Sequence, residues 1–165
     1  MEPAIKPAAN IHPSEKILLC ATPATISGKK LHDLIVTSGA HPDLVALPKL
    51  VTFAENFVFD TDTVCAYFDE TIDKTQKYAA VVLGCTHFSY FRDSFRKYLG
   101  NIDIIDGTAG TVKRLISVLS DKINNADHNA RGTVKYVRSG ADAGEQDVAY
   151  FEKMSDRAEQ ILMLD

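Results

Sequence analysis

A cysteine and a histidine lie two residues apart at the end of a short apolar segment. The segment Tyr78–Leu83 is rich in Ala, Val and Leu, and Gly-Cys-Thr-His follows it, so that Cys85 and His87 come directly after its end. Continuous apolar runs are typical of buried parallel strands, whose carboxyl ends carry the ligands of open α/β sheets. A free thiol has a pKa of about 8.5, so it needs a basic neighbour or a helix amino terminus to react near neutral pH. This junction offers both, and we predict that Cys85 is a chemically active thiol.

Simpler roles for these residues stay open at this point. A cysteine among small apolar residues can be an ordinary core residue. Cys85 and His87 could also donate two metal ligands, but the sequence has no second ligand cluster. Its three cysteines are widely spaced and contain no Cys-x-x-Cys pair. We therefore expect neither a metal site nor a disulfide framework.

The composition narrows the class of protein. The 165 residues are 45% hydrophobic, which is enough for one sizeable core with an appendage. Eighteen basic and 22 acidic residues give a net charge of -4 without a basic stripe, so we do not expect nucleic acid as a partner. No apolar run approaches the roughly 18 residues of a membrane-spanning helix, and residues 1–7 lack the apolar core of a secretory signal. We expect a cytoplasmic protein that does not contact the membrane.

Strands alternate with helices over the first two thirds of the chain. The predicted strands are 16–21, 43–47, the apolar segment before Cys85, and 102–105. The predicted helices are 24–37, one opened by Pro48, one capped by residues 60–62, and 88–99, which Gly100 ends. This order predicts the α/β class with a doubly wound parallel sheet of about four strands.

The pattern changes after Asp106. Apolar residues at helical spacing predict a helix around residues 112–123, and a polar linker follows at 124–129. A short strand at 133–137 and a closing helix at 148–162 complete the chain. We therefore divide the chain into residues 1–106 and a C-terminal helix-strand-helix extension, residues 107–165.

Five segments in order resemble the second half of bacterial glutamate racemases, which belong to the aspartate/glutamate racemase superfamily. The segments are 2–8, 21–26, 48–55, 83–88 and 104–107, of which Gly-Cys-Thr-His is the most specific. The resemblance implies that residues 1–106 form the second racemase-type α/β domain. It also implies that residues 107–165 return to a first domain.

The resemblance implies roles for six residues. They are the catalytic Cys85 and His87, the substrate-binding Thr22, Thr25 and Thr86, and Glu55, which would support the imidazole. Three of these residues also have local alternatives. Thr22 can be a turn residue and Thr25 a helix amino-terminal residue, while Glu55 can be a solvated carboxylate.

The implied activity is the interconversion of L- and D-glutamate for peptidoglycan precursor synthesis, by proton transfer between two thiols and without a cofactor. The family's Cys-Asn-Thr element, which carries the partner thiol, does not occur in this sequence. We therefore expect a truncated form that lacks the first catalytic cysteine and is inactive or severely impaired alone.

Other functions stay open beside this one. The chain could be a non-catalytic remnant or subunit that binds a small acidic amino acid or a protein, an aspartate racemase-type enzyme, or a Cys-His acyl-transfer enzyme. The apolar faces of the C-terminal helices would pack against strands that this sequence does not contain. We therefore expect a homodimer or a complementing first-domain chain to cover these faces. The resemblance implies glutamate as the small-molecule partner.

Overall fold

A computed structural model describes residues 2–124 and 133–163. The strands are β1 (Ile17–Ala21), β2 (Pro42–Ala46), β3 (Ala80–Leu83), β4 (Asp103–Ile105), β5 (Val137–Arg138) and β6 (Ala141–Asp142). The α-helices are α1 (Glu2–Ile11), α2 (Pro23–Ile26), α3 (Lys29–Ser38), α4 (Pro48–Glu55), α5 (Thr61–Thr71), α6 (Arg92–Leu99), α7 (Thr108–Asn124) and α8 (Glu145–Leu162). A 3-10 helix spans Thr86–Phe91. Within the polar linker predicted at 124–129, residues 125–129 lie outside the described residues.

The first four strands form one parallel sheet in the order β2-β1-β3-β4. The two central strands, β1 and β3, are buried along their whole length, whereas β2 and β4 lie at the edges and are more exposed. Buried parallel strands read as continuous apolar runs, which is why the sequence locates β1 and β3, while shorter apolar runs locate the edge strands β2 and β4. The predicted α/β class with a doubly wound parallel sheet is therefore confirmed.

Both faces of the sheet are covered by helices. On one face, Ile17, Leu19 and Ala21 of β1 pack in a buried cluster with Ala4 and Ile5 of α1. Successive side chains of a strand point to opposite faces, so the intervening residues of β1 face the other layer. That layer contains the buried aromatic rings of α5 and α6, which stack as Phe68 on Phe95 with ring centroids 4.6 Å apart.

The N-terminal helix α1 is not among the predicted elements. Proline in a helix interior removes a backbone hydrogen bond, and Pro7 lies inside α1. The helix is held by its packing instead, because Ala4, Ile5 and Ala8 are each about 1% exposed. Burial of one apolar face therefore outweighs the unfavourable local signal here.

The helix predicted over 24–37 is two helices. Gly28 has an extended backbone, with φ −77° and ψ 129°, and forms the N-cap of α3. The first piece, α2, begins at Pro23 and has Thr22 as its N-cap. The helix predicted over 88–99 also differs, because its first part belongs to the 3-10 helix and only Arg92–Leu99 is α-helical.

The structure divides into two compact units, Met1–Lys113 and Arg114–Asp165, with the boundary inside α7. In the second unit, β5 and β6 form an antiparallel hairpin whose turn residues Ser139 and Gly140 both have positive φ, as a type I′ turn requires. The strand predicted at 133–137 is therefore wrong in position. The alternating apolar pattern ends at Val137, which is the first residue of β5. The position of the hairpin is set instead by the turn at Ser139 and Gly140.

Four apolar side chains of α7 are about half exposed to solvent or more. They are Val112 at 48%, Leu115 at 55%, Ile116 at 53% and Val118 at 60%. The exposure of α8 is different. Ile161 belongs to the apolar face of α8 that was expected to pack against absent strands, yet it is only 2% exposed. No helix in the described residues is both long and apolar enough to cross a membrane.

Candidate active site

Cys85 and His87 lie together where β3 ends. The Sγ atom of Cys85 is 3.8 Å from Nδ1 of His87, within hydrogen-bonding reach for sulfur, and both residues are partly exposed. An imidazole at this distance can accept a proton from a thiol or return one to it. The pair predicted from the Gly-Cys-Thr-His segment is therefore present as a contact.

The backbone around Cys85 explains this placement. Cys85 is still extended, with φ −141° and ψ 139°, and its carbonyl oxygen accepts a hydrogen bond from the amide of Phe88 at 3.0 Å. That bond closes the first turn of the 3-10 helix. Phe88 and Phe91 are fully buried and anchor the helix, while Thr86 and His87 stay accessible. The chain thus changes from strand to helix at Cys85.

The other two thiols have different surroundings. Cys20 is fully buried in β1, and burial raises the pKa of its thiol. Cys65 is half-buried in α5, its Sγ donates to the carbonyl oxygen of Ser94 at 3.8 Å, and burial raises the pKa of its thiol as well. Among the three cysteines, all of which lie in the described part of the chain, Cys85 is the one whose hydrogen-bonding partner is a titratable side chain.

Thr22 and Thr25 form a second contact at the end of the neighbouring strand β1. Their hydroxyl oxygens are 3.0 Å apart, and the backbone amide of Thr25 donates to Oγ1 of Thr22 at 3.4 Å. Thr22 therefore fills the local role of N-cap of α2, and Thr25 lies in the first turn of that helix. They also lie at the carboxyl edge of the sheet, because β1 and β3 are adjacent and parallel.

The last two candidate residues lie at the surface. Thr86 is exposed at the start of the 3-10 helix. Glu55 is exposed at the end of α4, a helix that packs against the 3-10 helix. Among the described residues, no hydrogen bond joins the Glu55 carboxylate to the His87 ring, so the structure does not bring this supporting pair together.

A carboxylate without an assigned role lies at the same edge of the sheet. Asp106 directly follows β4, and its Oδ2 accepts hydrogen bonds from Ser89 at 2.9 Å and from Arg92 at 3.4 Å. Its Oδ1 accepts the backbone amide of Thr108 at 2.9 Å. A signal for this site exists in the sequence, since an acidic residue after an apolar strand falls at the ligand-binding edge.

The arrangement as a whole offers one accessible thiol with a neighbouring base. No group of three His, Cys, Asp or Glu residues in 2–124 and 133–163 is arranged to hold a metal ion. The thiol and the imidazole can together remove a proton from a bound molecule, or return one, on the side that Cys85 faces. Three threonine hydroxyls at the same edge can donate to carboxylate oxygens.

Comparisons with known proteins point to one family, although no family model matches the chain. The glutamate racemase of Campylobacter concisus is 44% identical over 153 residues, which cover 88% of this chain and 58% of the relative. The glutamate racemase of Campylobacter curvus is 45% identical over 152 residues, with 86% of this chain and 56% of the relative covered.

A solved structure gives the same result for the fold. The Escherichia coli glutamate racemase, in complex with L-glutamate and the activator UDP-MurNAc-Ala, superposes with a TM-score of 0.67. The match covers 92% of this chain and 59% of that protein at 21% sequence identity. The chain thus spans slightly more than half the length of the curated relatives it matches. Over that part, the chain resembles the glutamate racemases in both sequence and fold, which confirms the relationship predicted from the Gly-Cys-Thr-His segment.

Proposed function

We propose that this chain supplies one of the two acid/base thiols of a cofactor-independent glutamate racemase. The observation that supports this function best is the contact between Cys85 and His87, 3.8 Å from Sγ to Nδ1, at the carboxyl end of the central strand β3. The similarity to glutamate racemases gives the pair a reaction class, the inversion of an amino acid at its α-carbon.

The Cys85 thiolate takes the α-proton of glutamate from the side that it faces. The electron pair of the broken C–H bond stays on the α-carbon and delocalises into the adjacent carboxylate. A second acid on the opposite face then gives a proton to that carbon, and inversion results. His87 holds the proton of the Cys85 thiol between turnovers, and each positioned acid or base contributes on the order of 10²–10⁴-fold to the rate.

The substrate is held by neutral donors in this proposal. Thr22, Thr25 and Thr86 lie at the ends of the adjacent strands β1 and β3, and their hydroxyls donate to the carboxylates of glutamate. The complex of the Escherichia coli protein with L-glutamate supports this choice of substrate. Thr22, the N-cap of α2, and Thr25, in its first turn, combine a local role with substrate binding.

The opposite face needs a donor from elsewhere. Cys20 is fully buried in the sheet, and the Cys65 thiol points to the carbonyl of Ser94 on α6, so neither is suited to this task. We propose that a chain of these 165 residues does not racemise glutamate alone. The other thiol comes from outside these 165 residues, and the exposed apolar residues of α7 support contact with further protein.

Protection from alkylation tests the proposed site directly. Glutamate bound at the threonine hydroxyls covers Cys85, so L- or D-glutamate should slow the labelling of Cys85 by iodoacetamide. The Thr22→Val variant loses a hydroxyl and should lose most of this protection, whereas Thr37→Val, which changes an exposed hydroxyl of α3, should keep it. Equal labelling rates with and without saturating glutamate would contradict the site.

A further inference from the structure

We propose that Asp106 is a positioning residue, which holds the 3-10 helix Thr86–Phe91 in the conformation that keeps His87 beside Cys85. This inference rests on the proposed function of the Cys85–His87 pair. It concerns a residue that lies outside that pair and acts on it through Ser89.

The contacts of Asp106 link three elements. One carboxylate oxygen accepts the hydroxyl of Ser89, within the 3-10 helix, at 2.9 Å and the guanidinium of Arg92, at the start of α6, at 3.4 Å. The other oxygen accepts the backbone amide of Thr108, the first residue of α7, at 2.9 Å. The carboxylate therefore joins the loop after β4 to the helix that carries His87.

The burial of this group makes the link stronger than a surface contact. The side chains of Asp106 and Arg92 are only 14% and 15% exposed. Hydrogen bonds to an ionised carboxylate are roughly twice as strong as neutral ones, and partial burial reduces their screening by solvent. Loss of Asp106 leaves Ser89 and Arg92 without these bonds in a largely desolvated place.

The 3-10 helix needs such a contact because of its geometry. Its hydrogen bonds are poorer than those of an α-helix, and runs beyond three or four residues are uncommon. This helix has six residues, and Cys85 at its N-cap makes no side-chain capping bond. With three residues per turn, the hydrogen bond at Ser89 falls in the turn directly after His87, and it limits how far the imidazole moves away from Sγ.

The experiment measures the rate of Cys85 alkylation by iodoacetamide across the neutral pH range. Asp106→Ala should slow the reaction about threefold or more and make the rate rise more steeply with pH, because the thiol then loses its proton without help from the imidazole. Asp106→Asn retains one acceptor oxygen and should restore part of the rate. Ser89→Ala removes only the hydrogen bond between Asp106 and the 3-10 helix, and it should also slow the alkylation of Cys85. This variant tests the proposal if Asp106→Ala does not fold.

Two controls separate this proposal from the proposed function. Asp103→Asn changes the carboxylate at the start of β4, which contacts His12. This variant should leave the rate of Cys85 alkylation unchanged. His87→Ala should reduce the rate at least as much as Asp106→Ala. If His87→Ala slows the reaction while Asp106→Ala and Ser89→Ala do not, the positioning role is refuted and the pair stands. If His87→Ala has no effect, the pair itself fails, and the role of Asp106 with it.

Discussion

The backbone amide of Gly84 donates a hydrogen bond to the carbonyl oxygen of Cys20 at 2.7 Å. This bond continues the pairing of β1 with β3 by one residue. It brings Cys20, in β1, close to the chain that leads from β3 to Cys85. Cys20 lies inside the sheet and is fully buried, whereas Cys85 lies just beyond the sheet and is partly exposed. Cys85 lies two residues beyond Leu83, the partner of Cys20 in β3, and this short offset separates a core cysteine from a partly exposed one.

We predict from this difference that Cys85 is the fastest of the three cysteines to be alkylated. The Cys20 thiol is buried and the Cys65 thiol is half-buried, and burial raises the pKa of both, so little thiolate forms at either position near neutral pH. Mass spectrometry of peptides after brief iodoacetamide treatment gives the three rates. Cys85→Ser should remove the fast phase, and Cys65→Ser should leave it intact. Faster labelling of Cys20 or Cys65 would show that the site is wrongly assigned.

The sheet could be predicted from the sequence because parallel strands leave a simple signal, most clearly in the buried strands β1 and β3. All four parallel strands appear as short apolar runs, and Asp60 and Gly100 mark a helix start and a helix end as their chemistry requires. Helix α1 could not be predicted in this way. Its stability comes from long-range packing of Ala4, Ile5 and Ala8, whereas its prolines give the opposite local signal.

The site was predictable only in part, for a related reason. Cys85 and His87 are two residues apart, so their contact follows from local geometry once the strand is located. The contact of Asp106 with Ser89 spans 17 positions and depends on how β4 lies beside β3. Glu55 shows the converse, since its expected support of His87 needs a long-range contact, and within 2–124 and 133–163 no hydrogen bond joins the two side chains.

A histidine far from the site predicts a pH-dependent contribution to stability. His12 follows α1, and its two ring nitrogens lie 2.8 Å from Glu15 and 2.7 Å from Asp103 at the start of β4. Only the protonated ring donates from both nitrogens, and the hydrogen bonds to Glu15 and then Asp103 raise the pKa of His12 above 6.5. The contribution is therefore fully present below pH 6.5 and is lost as the pH rises through the elevated pKa of the folded protein.

The His12→Gln variant should show this loss. Because both carboxylates are more than half exposed, we expect the free energy of unfolding to fall by at most about 1 kcal/mol at acidic pH. The difference from wild type should shrink above neutral pH. Urea unfolding at several pH values measures it, and His32→Gln on the exposed side of α3 is the matched control. If the difference in the free energy of unfolding between wild type and His12→Gln grew with rising pH, the stabilising role of the His12 ion pairs would be contradicted.

The exposed apolar side chains of α7 predict self-association. Leu115 and Ile116 are each more than half exposed, and contiguous apolar patches of a few hundred Å² are uncommon on monomers. Light scattering over a concentration series should detect dimers or larger species. The Leu115→Glu and Ile116→Glu variants should shift the population to monomer, whereas Val36→Glu, at an 80% exposed position of α3, should not. A wild-type chain that stays monomeric at high concentration and binds no hydrophobic dye would contradict this use of α7.

The central claim is that Cys85 transfers protons on one face of glutamate and that inversion requires a donor from outside these 165 residues. The direct test follows solvent deuterium at the α-carbon by NMR and optical rotation in the same sample. The chain is measured alone and with the part of the Campylobacter concisus racemase that it does not match. We predict no inversion by either piece alone, inversion by the mixture, and loss of that activity in a mixture containing Cys85→Ser. Inversion by this chain alone, or by the mixture containing Cys85→Ser, would contradict the account.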